Sequence, residues 1–494
     1  MLTNLIVLGI YFAILFGIGI VASKRVNSLD DYYVGGKKLN YWLVAFSARA
    51  TGESGWLLIG LTAMGALAGF SAYWVVIGEV IGVTISWFFM AKRFKVLTDK
   101  YDSITVPDFL ESHFKAKGHL LRVVAALCLS IFVIIYVSAQ IDITGKAFET
   151  FLGVNYYTGA IAGFLIVVAY IFVGGFVAVV WSDFFQGILM FIGLLALPLV
   201  AYFTIDHAGS IYESLEAVDP NLVNIWGAFD DPWMQAASMF GFAFIGLGFL
   251  GSPQVYVRFI SVKNTKEIDK GKWVAIVFTL LTDAAAVTIG LLARYLFTEV
   301  GQDPESVLGI AGEDSLMVLL KATFPVFIVA IYIAIILSAI MSTIDSLLVV
   351  ASSAITRDLY QKVFHPEVSN KDLSKMSARV TVIMALIALA LAMVVAVFVP
   401  GRTVFWFTIF GWSGIAATFC PMIIYSLFWK AFNQSGALAC MLSGFVAVPF
   451  FKFYVQELEG IGPYFEQLDV MGPAFAVSFV FGFLFTKLKP EPAL

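Results

Sequence analysis

Apolar residues run along this chain in long unbroken blocks, neither alternating with polar ones nor recurring once per helical turn. Charged residues or turn formers separate the blocks. A bilayer core about 30 Å thick needs roughly 20 apolar residues per helix, and on that measure the blocks predict about thirteen spans. They lie near 3–22, 41–68, 70–91, 121–150, 156–175, 177–203, 233–254, 272–298, 324–356, 376–400, 403–428, 435–455 and 468–487. The division inside 156–203 rests on Gly174 and Gly175 alone. No loop between the blocks is long enough for a soluble catalytic domain, and no phosphate-binding P-loop occurs.

Composition agrees. Of 494 residues, 60% are hydrophobic and 13% charged, with a mean hydropathy of +0.91. A water-soluble domain carries about 25% charged residues. That excludes a cytosolic enzyme, a secreted domain and a disordered chain. An outer-membrane barrel would alternate apolar and polar residues, which this chain does not. The fold class expected is an all-α polytopic membrane protein. The net charge of −4 gives no reason to expect nucleic acid as a partner, whereas membrane lipid is implied throughout. Cys128, Cys420 and Cys440 sit inside apolar blocks, and four scattered histidines show no metal-ligand spacing. The first block, Leu5 to Ala22, is long enough to span and lacks a cleavage site.

Loop charge orients the spans. The loop 204–232 holds Asp206, Glu213, Glu216, Asp219, Asp230 and Asp231 without a Lys or Arg, and the loops 299–315 and 456–467 are also acidic. The alternating loops are basic, with Lys24, Arg25, Lys37 and Lys38, then Lys92, Arg93, Lys95, Lys100, Lys115 and Lys117. Arg258, Lys263, Lys266, Lys270 and Lys272 follow, and then Arg357, Lys362, Lys371 and Lys375. By the positive-inside rule these are cytoplasmic, which places the N-terminus outside and the C-terminus inside.

An ionisable group at bilayer depth costs about 2.5–3.5 kcal/mol or more and is a candidate functional residue. Arg49, Glu53, Glu79, Asp142, Asp183, Asp283, Arg294 and Asp345 are such groups. Arg49 and Glu53 lie in FSARATGESGWLLIG, where Gly52 and Gly55 disfavour a continuous helix. An interrupted helix frees carbonyls that can ligate a cation. The other reading is a self-neutralising i, i+4 pair, and both can hold. In LSAIMSTIDSLLVVASSAITRDLY, Ser342, Thr343, Asp345 and Ser346 crowd one half of a helix. Hydroxyl and carboxylate oxygens are hard ligands that suit an alkali cation. Ser352 and Ser353 read better as bonds back to the i−4 carbonyl. Asp183 follows a double glycine and reads as an interfacial cap. Gln140 and Asp142 line a polar path, with Lys146 four residues on as a neutraliser. Asp283, Arg294 and Glu79 read as interhelical pairs. These residues describe a polytopic transporter with a cation site between a broken early helix and a hydroxyl-rich late one.

Five stretches make this specific: DDYYVGGKKLNYWLVAFSARATGESGW (30–56), ITVPDFLESHF (104–114), IFVGGFVAVVWSDFFQG (171–187), GSPQVYVRFIS (251–261) and SAIMSTIDSLLVVASSAITRDLY (338–360). Through them the chain resembles the sodium:solute symporter family, and within it the bacterial sodium/proline symporters. The resemblance implies a LeuT-type five-plus-five inverted repeat with one extra N-terminal and two extra C-terminal helices. Residues 1–40 would hold the extra helix and a cytoplasmic loop, 41–203 the first repeat, 204–428 the second, and 429–494 the last two helices. It implies no enzyme but a sodium-coupled importer of a small amino acid, proline first, in the inner membrane. The alternative is a proton-coupled or amine-substrate transporter using Glu53, Asp142 and Asp345.

Carried over by motif, the sodium ligands would be the carbonyls of Ala50, Glu53 and Ala339 and the hydroxyls of Ser342 and Thr343. Asp183, Asp345 and Ser346 would serve a second sodium. The substrate would meet Glu53, Ser54, Trp56, Tyr136, Gln140 and Phe249. Two departures stand out. Proline symporters carry an aspartate where this chain has Gly52, and an apolar residue where it has Glu53. Their aromatic pocket positions correspond here to Tyr136, which is retained, and to Ile245 and Phe249, which leave a larger and more apolar pocket.

Overall fold

The computed structural model describes residues 2–25, 28–116, 118–171, 175–205 and 209–490. Lys117, Gly174 and Asp206, named above, lie outside the described residues. Among the described residues, eleven helices are long and apolar enough to cross a membrane by length and composition. One of them, Tyr41–Lys100, runs 60 residues and covers two expected spans, divided at Gly69, whose φ of +62° breaks the helix. Another expected span, after residue 156, is met by a shorter apolar helix. The membrane helices are α1 (Leu2–Ser23), α2 (41–68), α3 (73–100), α4 (Leu120–Leu152), α5 (Tyr156–Ile171), α6 (Gly175–Thr204) and α7 (Pro232–Ser261). They continue with α8 (Thr265–Phe297), α9 (Val326–Phe364), α10 (Asn370–Phe398), α11 (Val404–Phe428), α12 (Gln434–Val455) and α13 (Met471–Leu488).

Two of these helices are interrupted at mid-length. In α2, Ser54 takes φ +56° and ψ −174°, a conformation costly for a residue with a Cβ. In α7, a 3-10 turn at Ile245–Leu250 ends on Gly251 before the helix restarts at Pro253. Packing around the two breaks is matched. The helix after the first, α3, lies on the 245–250 turn of α7, and the helix after the second, α8, lies on 62–68 of α2. Likewise α6 runs along α2 and α9, while α11 runs along the α7 turn and α4. This exchange of partners is the pattern of a five-plus-five inverted repeat. The extra helices stay outside it: α1 packs on α6 and α9, and α12 and α13 pack on each other and on α11.

Glycines set the closest crossings. A Cβ at Gly78 or Gly246 would strike the carbonyl of Ala243 or Gly78, and one at Gly65 or Gly290 would strike the carbonyl of Val287 or Thr62. Small residues let membrane helices approach this closely, where dispersion contacts must supply what a hydrophobic effect cannot. Large side chains such as Leu199, Phe203, Phe398 and Phe453 point outward and are exposed, as a lipid-facing belt requires.

Ion pairs tie the two ends of the bundle. At the end predicted cytoplasmic, Arg122 of α4 bonds Asp108 at 2.8 Å and also pairs with Glu111 and Asp358, while Arg357 holds Asp108 at 3.0 Å. At the other end Arg402 pairs with Asp142, and Lys146 with Glu313 at 2.7 Å. The expected Asp142–Lys146 pair is therefore not formed. Lys146 stands one turn further along α4, level with Glu313, and the Arg402 guanidinium takes the aspartate. Two loop cations are also corrected. Lys95 is buried, bonding Asp99 at 2.8 Å and the Ile260 carbonyl at 3.0 Å. Arg258 is buried at the centre, as described below.

Two predictions follow from this packing. Gly78→Ala and Gly290→Ala should each destabilise by about 1–3 kcal/mol, because backbone blocks the added methyl; thermal unfolding in detergent should show both melting earlier. Burial alone would raise the Asp108 carboxyl, but Arg357 and Arg122 outweigh it and hold it below its ordinary range. A depressed carboxyl stabilises above its unfolded value of about 3.9 and loses that contribution as pH falls through the folded value. Melting curves between pH 7 and 3 should steepen below about pH 4 in the native chain, and Asp108→Asn should flatten that limb.

Candidate functional site

The site begins with backbone. Breaking α2 at Ser54 leaves carbonyls of the preceding turn without helical partners, and hydrocarbon offers none. Two hydroxyls of α9 supply donors: Ser342 Oγ donates to the Ala50 carbonyl at 3.0 Å and Thr343 Oγ1 to that of Thr51 at 3.2 Å. Each hydroxyl also lies on the Ala339 carbonyl, at 3.1 and 3.2 Å. Five oxygens from two helices thus converge, all on buried residues. Four of the five expected first-site residues, Ala50, Ala339, Ser342 and Thr343, meet here. Thr51 joins them through its own carbonyl.

The side chain of Glu53 faces the other way. It pairs with Arg49 one turn earlier, and Arg49 bonds Glu79 of α3 at 3.3 Å. Carboxylate oxygens of Glu53, Glu79 and Asp283 of α8 lie within 4.8 Å of one another. The interhelical reading of Glu79 is therefore right in kind, with Arg49 as partner. Arg294 has no carboxylate within ion-pairing distance among the described residues, contrary to expectation.

A second polar cluster lies one turn toward the end predicted cytoplasmic. Asp183 of α6 accepts from Ser47 at 2.6 Å and from Arg258 of α7 at 3.0 Å, with Thr51 and Ser346 at 3.4 and 3.5 Å. Arg258 also donates to Thr51 at 2.8 Å, to Ser47 at 3.1 Å and to Ser346. Every one of these side chains is buried. Asp183 is no interfacial cap, and in this conformation its charge is met by a guanidinium from the protein itself. Asp345 is also fully buried, and its two carboxylate oxygens receive no hydrogen bond among the described residues. Arg258 was available to sequence reasoning in GSPQVYVRFIS; its neighbours Lys263 and Lys266 gave it the look of a loop cation.

The expected substrate residues gather on the other side of the break. Gln140 of α4 accepts from the Gly55 amide at 3.1 Å and donates to Ser54 Oγ at 3.3 Å. Phe249, from the α7 turn, lies under the Arg49 guanidinium at 4.4 Å and against Trp412 at 5.1 Å. Trp412 in turn meets Tyr136 at 6.2 Å and donates its indole N–H to the freed Ile245 carbonyl at 3.0 Å. Trp56 lies edge-on to Phe405 at 5.5 Å, further out along α2. Ser54, Tyr136, Gln140, Phe249 and Trp412 are all buried, so the centre is closed to solvent here. A polar cavity of about 560 Å³, lined by Ile59, Lys146, Glu313 and Arg402, opens beyond them at the end of the bundle that carries the Arg402–Asp142 pair.

A closed, polar centre between two broken membrane helices is the arrangement of a membrane transporter. The sodium:solute symporter family model matches residues 32–444, and the chain belongs to that family. It is 34% identical over 480 residues to the high-affinity proline transporter PutP of Bacillus subtilis, covering 96% of each chain. It is 31% identical over 494 residues to the osmoregulated proline transporter OpuE of the same organism, covering 99% of this chain and 95% of the other. A Staphylococcus aureus sodium/proline symporter is 30% identical over 492 residues, with 99% and 93% covered. Among solved structures, a substrate-bound outward-open Na+-coupled sialic acid symporter superposes with a TM-score of 0.79 at 19% identity, covering 100% of this chain and 99% of that one. The fold is thus the family's, and the chain is a multi-pass membrane transporter and no enzyme.

Removing one partner of a buried ion pair costs about 3–5 kcal/mol, because the other charge is left uncompensated. Arg258→Met should therefore lower the melting temperature sharply, and adding Asp183→Asn should restore most of the loss. A double variant as unstable as the single one would show that Arg258 acts by packing alone.

Proposed function

We propose that this chain is a sodium-coupled importer of a small amino acid, proline first, working by alternating access. The observation that carries this reading is the convergence of the Ala50, Thr51 and Ala339 carbonyls with the Ser342 and Thr343 hydroxyls. These are hard, neutral oxygens, a donor set suited to a small monovalent cation. The hydroxyls now satisfy the carbonyls; a sodium ion would draw all five oxygens to itself and pin α9 to α2. Relatives named as proline transporters along nearly the whole chain support proline as the substrate.

The restarted half of α2 begins at the amides of Gly55 and Trp56, which donate here to Gln140 and to Ser54 Oγ; a substrate carboxylate, favoured at a helix N-terminus, would take the place of those acceptors. Ser54, Trp56, Tyr136, Gln140, Phe249 and Trp412 would surround the ring. A phenylalanine at 249 makes one wall apolar, which a pyrrolidine tolerates. Asp183, Asp345 and Ser346 would act next to the sodium site, with Arg258 as their counter-ion. The repeats would divide as 41–203 and 204–428. The N-terminus faces outside in this reading, since the loops that remain basic without Lys95 and Arg258 lie on the opposite side. Each sodium entering then gains about 2.3 kcal/mol per 100 mV, enough to drive accumulation. The proton-coupled or amine-substrate alternative loses one of its three carboxylates, because Arg402 holds Asp142.

Proteoliposomes with an inward sodium gradient should accumulate radiolabelled proline, and a matched potassium gradient at the same pH should not. Hydrogen bonds to a charged partner contribute about 1.5–3 kcal/mol. Ser342→Ala and Thr343→Ala should therefore each raise the half-saturating sodium concentration about 10- to 100-fold. Unchanged sodium dependence in both variants would reject the site.

A further inference from the structure

The cluster around Arg49 is not used by the mechanism above. Glu53 of α2, Glu79 of α3 and Asp283 of α8 bring three carboxylates within 4.8 Å of one another, and each residue is at most 1% exposed. The charged group facing them is Arg49, which pairs with Glu53 and lies 3.3 Å from Glu79. Glu79 and Asp283 hydrogen-bond each other and so share a proton, but one guanidinium and one proton against three carboxyl groups still leave a negative charge where hydration cannot offset it. The oxygens are also short of donors. Outside the Arg49 contact, neither oxygen of Glu53 receives a hydrogen bond, nor does Oδ2 of Asp283, among the described residues. Thr282 supplies one bond, to Oδ1 of Asp283, at 3.2 Å. A purely structural network would have its lone pairs met by N–H or O–H groups. Carboxylates held close together with free oxygens are instead what a cation ligates.

We propose that Glu53, Glu79 and Asp283 form a second sodium site, separate from the one at Ser342 and Thr343. The two sites use opposite faces of the same unwound segment. The carbonyls of Ala50 and Thr51 turn to α9, while the side chains of Arg49 and Glu53 turn to α3 and α8. A cation here joins three helices, α2, α3 and α8, that the first site does not touch together. Phe249 lies on the Arg49 guanidinium and closely approaches Gly52, so the cluster borders the substrate pocket through a single ring. Ion occupancy at Glu53 thereby fixes Arg49 and, through it, one wall of that pocket.

The inference rests on the sodium-coupled reading, and its test separates the two. The full chain in detergent is titrated with radioactive sodium alone. The native chain should bind about two sodium ions, with a Hill coefficient above one where the sites cooperate. Asp283→Asn and Glu79→Gln should each reduce this to about one ion, and Ser342→Ala should remove the other. Should one variant fail to fold, the other carries the result. Binding of two ions in both carboxylate variants overturns the proposal. So does a native chain that binds a single ion abolished by Ser342→Ala, since the cluster would then be neutralised by protons. A single ion lost in Asp283→Asn but kept in Ser342→Ala would support the cluster and reject the first site instead.

Discussion

Everything at the centre of this molecule depends on one break in a helix. At Ser54, α2 leaves the helical conformation at a fully buried residue, at a backbone cost of order 1–3 kcal/mol. The break persists because other helices satisfy what it exposes. Gln140 of α4 takes the Gly55 amide and donates to Ser54 Oγ, and two hydroxyls of α9 cap the carbonyls of Ala50 and Thr51. These bonds also make the site, for the carbonyls a cation would need are the ones a continuous helix would have consumed. Fold and function draw on the same few oxygens.

Buried charge is the second constraint. Only 13% of the residues are charged, yet Arg49, Glu53, Glu79, Asp183, Arg258, Asp283 and Asp345 all lie at the centre. Buried ion pairs are weak evidence for stability, because well-packed apolar residues often do as well or better. A bundle selected only to fold would have no use for seven of them. Their placement around the two interrupted helices points instead to charges that arrive and leave.

The spans were legible because lipid demands length and hydrophobicity, which single-sequence patterns report well. The break was legible from Gly52 and Gly55, and its α9 partners from the crowding of Ser342 and Thr343. Three things were not. Arg258 reads as a loop cation because Lys263 and Lys266 follow it; only the restart of α7 at Pro253 turns it back into the interior. Asp142 has a plausible partner four residues on, whereas its real one, Arg402, lies 260 positions away. Trp412 sits in an apolar helix with nothing to mark it, and becomes part of the site through an indole N–H that meets the carbonyl of Ile245. Local spacing tells which groups are costly to bury, but the tertiary fold decides which group neutralises them.

In the proposed cycle α4 is the element that must report the state of the centre to both ends. It carries Arg122 in the network at one end, Tyr136 and Gln140 at the break, and Asp142 and Lys146 in the pairs at the other end. Both ends are tied in this closed conformation, which is the state alternating access requires between its two open ones. Opening either side means parting ion pairs that include an α4 residue, and those pairs lie nearer water than the central ones, where ions can be rehydrated at lower cost. The centre holds its charges against charges within the protein, whereas the ends can exchange theirs for solvent. That difference lets the ends act as gates while the break in α2 stays intact through the cycle.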